Sequence, residues 1–159
     1  MDDLIKMCSA QYAPLVGLLG LYCGDRDVAE DLAQEALVRL CRDWRKVRRL
    51  DAPEQWLRRV AINLAHSHYR RRSAEQQKLA SLGRQGEPVL LESDIETLEL
   101  LKKLPHREKT ALLLHYYADL TVRQVADQMD IPEGTVKTLI HRAARRLGSD
   151  PGIQEARLV

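Results

Sequence analysis

The chain has no phenylalanine, and its two tryptophans and five tyrosines make up only 4% of its 159 residues. Cysteine is as scarce. Cys8, Cys23 and Cys41 are odd in number, far apart and without CxxC spacing, which argues against a disulfide scaffold and a thiolate zinc site and predicts reduced thiols in a cytoplasmic protein. A redox or metal role for them, with His66 or His68, is the minor alternative. No run of about 18 apolar residues predicts a membrane span. The start, Met-Asp-Asp-Leu-Ile-Lys, has no basic stretch followed by an apolar core, so no secretory signal and no membrane insertion are expected. No phosphate loop, HExxH or CxxC pair is present, so no catalytic residue, metal site or cofactor is expected.

What the chain does have is charge, and the charge is segregated. Hydrophobic residues make up 45% and charged residues 30%, with a formal net charge of +2, which fits a folded chain with room for one ordinary domain or two small ones. Residues 1–43 carry four Lys/Arg against eight Asp/Glu, whereas residues 44–72 carry nine against two. Residues 133–147 form a second basic block, with four against one. Two separated basic blocks imply two nucleic-acid contacts, and the acidic block before them implies a protein surface.

The stretch from Leu120 to Leu147 has the pattern of a helix-turn-helix. Thr121 can cap a short helix whose apolar residues are Val122, Val125, Ala126 and Met129. Pro132 stops that helix and suits the first turn of the next. The second helix buries Val136, Leu139, Ile140, Ala143 and Leu147 and shows Thr135, Lys137, Thr138, His141, Arg142 and Arg145 on its other side. Such a helix fits the major groove, with residues near its start reaching base edges and the later arginines reaching phosphates. Upstream, residues 105–117 predict a supporting helix, with Ala111, Leu112, Leu114 and Tyr117 behind the unit.

The N-terminal half predicts helices near residues 3–23, 26–45 and 54–72, the first kinked or divided at Pro14. In the second, capped by Asp25 or Asp27, residues Ala29, Leu32, Ala33, Ala36, Leu37, Leu40 and Trp44 share an inner face. Asp27, Asp31, Gln34, Glu35, Val38 and Arg42 lie opposite, a face that pattern alone leaves as either solvated or interacting. In the third, Trp56, Leu57, Val60, Ala61 and Leu64 point inward. If this helix is unbroken, Arg59, Asn63, His66 and Arg70 line up outside and lead into Arg71 and Arg72, a surface that can track phosphates. Asn63 can hydrogen-bond a base, or simply cap or bend the helix. Residues 73–93 form a polar linker, part of it helical at 74–82. The expected fold is all-α: two small helical domains, 1–72 and 94–148, joined by a flexible linker, with a tail at 149–159.

Four segments in order resemble the bacterial extracytoplasmic-function sigma factors over about residues 10–147. They are Asp27-Val-Ala-Glu-Asp-Leu-Ala-Gln-Glu-Ala-Leu, Trp56-Leu-Arg-Arg-Val-Ala-Ile-Asn-Leu-Ala, Leu104-Pro-His-Arg-Glu-Lys-Thr-Ala-Leu-Leu-Leu and Ile131-Pro-Glu-Gly-Thr-Val-Lys. The resemblance implies a non-enzymatic initiation subunit that works with core RNA polymerase, at its clamp and flap regions, and with promoter DNA, under restraint by an anti-sigma factor. It turns Asp31, Gln34, Glu35 and Val38 into a polymerase contact. It assigns Arg59, Asn63, His66, Arg70 and Arg71 to opening and holding the −10 element, with a loop that breaks the third helix near Asn63-Leu-Ala-His66. Thr135, Lys137, Thr138, His141, Arg142 and Arg145 then read the −35 element.

The chain departs from that family at several points. Against the family's pattern the first helix is expected to be truncated by a turn or more, and Leu139 stands where arginine is frequent, which alters the expected −35 contacts. Asp130 stands where glycine is common in the turn, a place Asp tolerates. Base stacking rests on few residues, with Trp44, Trp56 and Tyr69 available. The competing function is a stand-alone helix-turn-helix repressor or activator, which would bind its operator tightly without polymerase and would leave the acidic pattern at 27–37 unexplained.

Overall fold

The structure is a computed structural model that describes residues 1–78 and 95–148, with side chains described for 1–72 and 98–148. Among these residues every regular element is an α-helix: α1 (Asp2–Cys23), α2 (Arg26–Val47), α3 (Pro53–Lys78), α4 (Ile95–Lys103), α5 (His106–Tyr116), α6 (Val122–Met129) and α7 (Glu133–Leu147). The chain divides into two compact units, residues 1–89 and 90–159.

The first unit is a three-helix arrangement in which α2 packs on both α1 and α3. Only Gly24 and Asp25 separate α1 from α2, so the reversal is sharp. Gly24 supplies the left-handed conformation (φ 68°) that closes α1, its N–H donating to the Gly20 carbonyl at 2.7 Å. Asp25 caps α2 by accepting from the Val28 N–H at 3.3 Å. Ala29, Ala33 and Ala36, spaced by four and three, are fully buried along α2. Residues this small let the neighbouring backbones come close, and Leu15, Leu19, Leu40 and Leu57 fill the rest of the core. The aromatic edge contact of Tyr22 with Tyr69, and the bond from the Tyr69 hydroxyl to the Cys23 carbonyl at 2.9 Å, tie α3 to the end of α1.

Pro14 does not divide α1, which runs unbroken through it. Pro14 and Ala10 are both exposed, so water can satisfy the carbonyl that the missing proline N–H leaves without a partner. The helix is also, by length and composition alone, apolar enough to cross a membrane, which the search for apolar runs did not anticipate. Its apolar residues have an internal use: Leu15, Leu18, Leu19, Leu21 and Tyr22 are buried within the unit. The third helix continues past Asn63 to Lys78 with no break at 63–66, so the loop implied by family resemblance is absent here and Asn63, inside the helix, does not cap it. That extent takes in the first part of the helicity expected at 74–82; residues 79–93 lie outside those described.

In the second unit α5 is central, with Glu108, Lys109, Thr110, Ala111, Leu112, Leu113 and Leu114 all buried. Leu98, Leu101 and Leu104 close the core beside it. Tyr117 does not join them: α5 ends at Tyr116, and Tyr117, its C-cap, is turned outward. The Glu108 carboxylate, with only 7% of its side chain exposed, accepts from Arg146 Nε at 2.9 Å and so ties α5 to the last turn of α7.

Replacing Arg146 with Met, which keeps the stem and removes the charge, is expected to destabilise the second unit by about 1–3 kcal/mol by leaving a buried carboxylate unpaired; denaturant unfolding of the full chain measures it. Tyr69→Phe should lower the stability of the first unit by about 1 kcal/mol through loss of one hydrogen bond.

Candidate docking and nucleic-acid surfaces

Three faces carry the residues singled out by sequence, and each is the outward side of a helix whose other side is core. On α2, Asp31, Gln34, Glu35 and Val38 are all exposed, as are Asp27 and Arg42. Val38, an apolar side chain inside an acidic strip, is 63% exposed. Glu35 accepts from Arg39 Nε at 3.2 Å, and Glu30 pairs with Arg26 in the same way at 3.2 Å. Exposed pairs of this kind contribute little to stability, so the strip is not there to hold the helix. The inner side is as expected at Ala29, Ala33, Ala36 and Leu40, while Leu32, Leu37 and Trp44 are half-buried.

On α3, Arg59, Asn63 and Arg70 are exposed and His66 is half-buried, so the stripe of residues 59, 63, 66 and 70 exists and extends about 16 Å along the helix. Arg71 is exposed about a third of a turn away from it. Burial lowers the pKa of the Arg58 guanidinium, an effect that Glu54 opposes. Tyr69, expected as a stacking platform, is instead held inward by Tyr22 and the Cys23 carbonyl. Trp44 and Trp56 are half-buried. Sequence reasoning named no site residue among Arg45, Lys46, Arg48 and Arg49, which are exposed at the end of α2 and in the following turn. The signal was there in the basic balance of residues 44–72.

The third face is on α7, and the geometry that presents it begins in the turn before it. Thr121 and Gln124 form a reciprocal cap at the start of α6: Thr121 Oγ1 accepts from the Gln124 N–H at 3.1 Å, and Gln124 Oε1 accepts from the Thr121 N–H at 2.9 Å. Asp130 ends α6 in the left-handed conformation (φ 55°, ψ 50°), and the Ile131 N–H donates back to the Ala126 carbonyl at 3.1 Å. Asp does what glycine commonly does in such a turn. Pro132 then caps α7, its carbonyl accepting from the Thr135 and Val136 N–H groups at 3.0 and 3.1 Å.

From that start, Lys137, Thr138, His141, Arg142 and Arg145 are exposed, and Thr135 is half-buried. The Thr138 hydroxyl donates to the Gly134 carbonyl at 3.0 Å, which leaves its oxygen available as an acceptor. Gly134 lies near the middle of this face by helical spacing, and a Cβ built there would meet nothing within 4 Å. Leu139, where the family resemblance raised the expectation of altered −35 contacts, is only 7% exposed and belongs to the core with Val136, Ala143 and Leu147. Its replacement of arginine therefore falls on the inward side of this helix, away from the basic face.

Comparison with known proteins matches both halves. Sigma-70 region 2 matches residues 9–75, and sigma-70 region 4 matches residues 95–147. The ECF RNA polymerase sigma factor SigW of Bacillus subtilis is 31% identical over 144 residues, 78% of this chain and 75% of that protein. The RNA polymerase sigma-H factor of Pseudomonas aeruginosa is 29% identical over 161 aligned positions, 89% of this chain and 83% of that protein. In fold, the chain is similar to the sigma factor RpoE of Bartonella quintana, solved in complex with the anti-sigma factor NepR: TM-score 0.77, 20% identity, with 94% of this chain and 96% of that one covered. It is also similar to CnrH, solved with the cytosolic domain of CnrY, with a TM-score of 0.66 at 18% identity, covering 92% and 85% of the two chains.

Replacing Asp130 with Val should destabilise the turn by about 1–2 kcal/mol, because a β-branched residue is strained at positive φ, whereas Asp130→Gly should be neutral or mildly stabilising. Thermal unfolding of both variants tests this.

Proposed function

The chain belongs to the extracytoplasmic-function sigma factors, and from that premise we propose how its three faces divide the work of promoter-specific initiation. The α2 face, with Asp31, Gln34, Glu35 and Val38, docks on the clamp region of core RNA polymerase. The observation that carries this is Val38, 63% exposed among carboxylates whose exposed ion pairs contribute little to the fold. An apolar centre inside a charged rim is the ordinary anatomy of a protein-binding patch. The α3 face, with Arg59, Asn63, His66, Arg70 and Arg71, holds the −10 element. Its arginines take phosphates while Asn63 hydrogen-bonds an unstacked base. Since α3 is unbroken at Asn63, base capture here relies on a side chain projecting from a helix.

On the α7 face, Lys137, Thr138 and His141 lie closest to base edges of the −35 element. Arg142 and Arg145 neutralise phosphates, and Thr135 supports the start of the helix. Two modest DNA contacts on separate units gain affinity together only when their spacing on DNA can be spanned, and bound core polymerase sets that spacing. The flap region of polymerase is the partner of the second unit in this reading. Gly134 fits the same picture: nothing inside the protein requires a glycine there, and its bareness lets the DNA backbone come close. No catalytic residue is assigned to this chain, which acts in the cytoplasm beside polymerase and promoter. An anti-sigma factor that covers the docking surfaces restrains it; the support is that RpoE, whose fold it shares, was solved in complex with the anti-sigma factor NepR.

Added to purified core enzyme, the chain should give initiation at a cognate promoter, and Val38→Asp with Glu35→Lys should abolish core binding while leaving thermal unfolding unchanged; tight operator binding without core would favour the stand-alone regulator instead. Lys137→Ala should weaken −35 binding, and Arg145→Ala should lower the slope of affinity against salt by about 1. Gly134→Ala should raise stability by roughly 0.5–1 kcal/mol and still weaken −35 binding, a split that a purely structural glycine would not produce.

A further inference from the structure

Apart from the three faces, the fold brings together two thiols that the sequence keeps 33 positions apart. Because α1 and α2 form a hairpin around Gly24 and Asp25, residues equidistant from that joint face one another. Cys8 stands fifteen residues before the last residue of α1, and Cys41 stands fifteen after the first residue of α2. At the α-helical rise both are about 22 Å from the joint. α1 packs against α2 along this hairpin, and Cys41 is the thiol that neighbours Cys8 across it. Both are free, Cys8 half-buried and Cys41 exposed, whereas Cys23 is buried elsewhere in the unit.

We propose that Cys8 and Cys41 form a paired oxidation site, which a peroxide or a small disulfide closes into an intramolecular disulfide and a thiol reductant reopens. With hydrogen peroxide the exposed Cys41 thiolate attacks one oxygen. An S–O bond forms, the O–O bond breaks, and the departing hydroxide takes a proton to become water, leaving a sulfenic acid on Cys41. The Cys8 sulfur, having lost its proton to solvent, then attacks the Cys41 sulfur. An S–S bond forms, the S–O bond breaks, and the leaving hydroxide is protonated to a second water. The two thiols lose two electrons and the peroxide gains them. With a small disulfide, the same two sulfurs act by successive exchange.

Exposure decides which thiol reacts first, because the oxidant meets Cys41 at the surface. Burial, and then the neighbouring Cys41, push the Cys8 thiol up, which suits it to the second, resolving attack. Cys41 follows Val38 by three residues, so the bond borders the α2 face. The ring it closes contains the whole α1–α2 joint and restricts the unfolded chain.

The test treats the full chain, freed of reductant, with equimolar hydrogen peroxide and, separately, with oxidised glutathione. The expected result is a monomer lighter by two hydrogens, a Cys8–Cys41 cross-linked peptide in a non-reducing digest, and a melting temperature for the first unit higher by about 10 °C, all reversed by dithiothreitol. Cys8→Ala and Cys41→Ala should each abolish the cross-link, and Cys23→Ala should keep it. Sulfinic acid on Cys41 without a cross-link, a persistent glutathione adduct, or Cys41-linked dimers as the main product would overturn the proposal. None of these readouts needs polymerase or DNA, so the outcome is independent of the promoter reading.

Discussion

Each face proposed for function in this protein is the reverse side of a buried apolar stripe, and that burial is the constraint on which the rest depends. Unlike the central α5, a helix that packs on the core along one side only, as α2 and α7 do, presents whatever its other side carries to solvent in fixed register. The alanine seam of α2 sets its rotation to within a fraction of a turn, because Ala29, Ala33 and Ala36 fit only where two backbones come close. That rotation leaves Asp31, Gln34, Glu35 and Val38 outward. The same holds for α7, where Val136, Leu139, Ala143 and Leu147 fix which side shows Lys137, His141 and Arg142. Substrate-like precision is thus obtained from ordinary hydrophobic packing, with no strained backbone at the faces themselves.

Polar groups refine the arrangement more than they drive it. The Thr121–Gln124 cap, the left-handed Asp130 and the Pro132 carbonyl together define the angle at which α7 leaves the turn. At the far end of α7, Arg146 is drawn back to the buried Glu108 carboxylate, which removes one arginine from the basic face and makes it a fastener. Tyr69 is a parallel case in the first unit: the residue most plausible as a stacking platform is committed to the Tyr22 ring and the Cys23 carbonyl. A basic or aromatic residue in a nucleic-acid-binding chain therefore has to be located before it is assigned.

Some of this was readable directly from residue order. Helical period and caps placed α1, α2 and the start of α3 within two residues, because an amphipathic pattern and an Asp or Pro at the start are local signals, while α3 runs six residues past its expected end. Asp130 was readable as a left-handed turn residue for the same reason. The errors came where a local rule met a non-local circumstance. Proline at position 14 breaks helices in general, yet here Pro14 and Ala10, whose carbonyl it leaves open, are both exposed. The expected break at Asn63 came from family resemblance, and α3 keeps its ladder through that point. Tyr117 was placed in the core by spacing, but the helix stops one residue short of it.

The sequence by itself determined the all-helical class, the segregation of acid from base, the helix-turn-helix and the family, since each follows from periodicity, charge order or motif along a single strand of text. Tertiary structure decided what those patterns could not: that Leu139 turns to the core, that Arg146 serves a buried carboxylate, and that the α1–α2 hairpin brings Cys8 level with Cys41. The reason is the same in each case. Periodicity states which residues share a face of one helix, whereas a partner on another helix is set by how the two helices pack, and packing depends on every side chain between them.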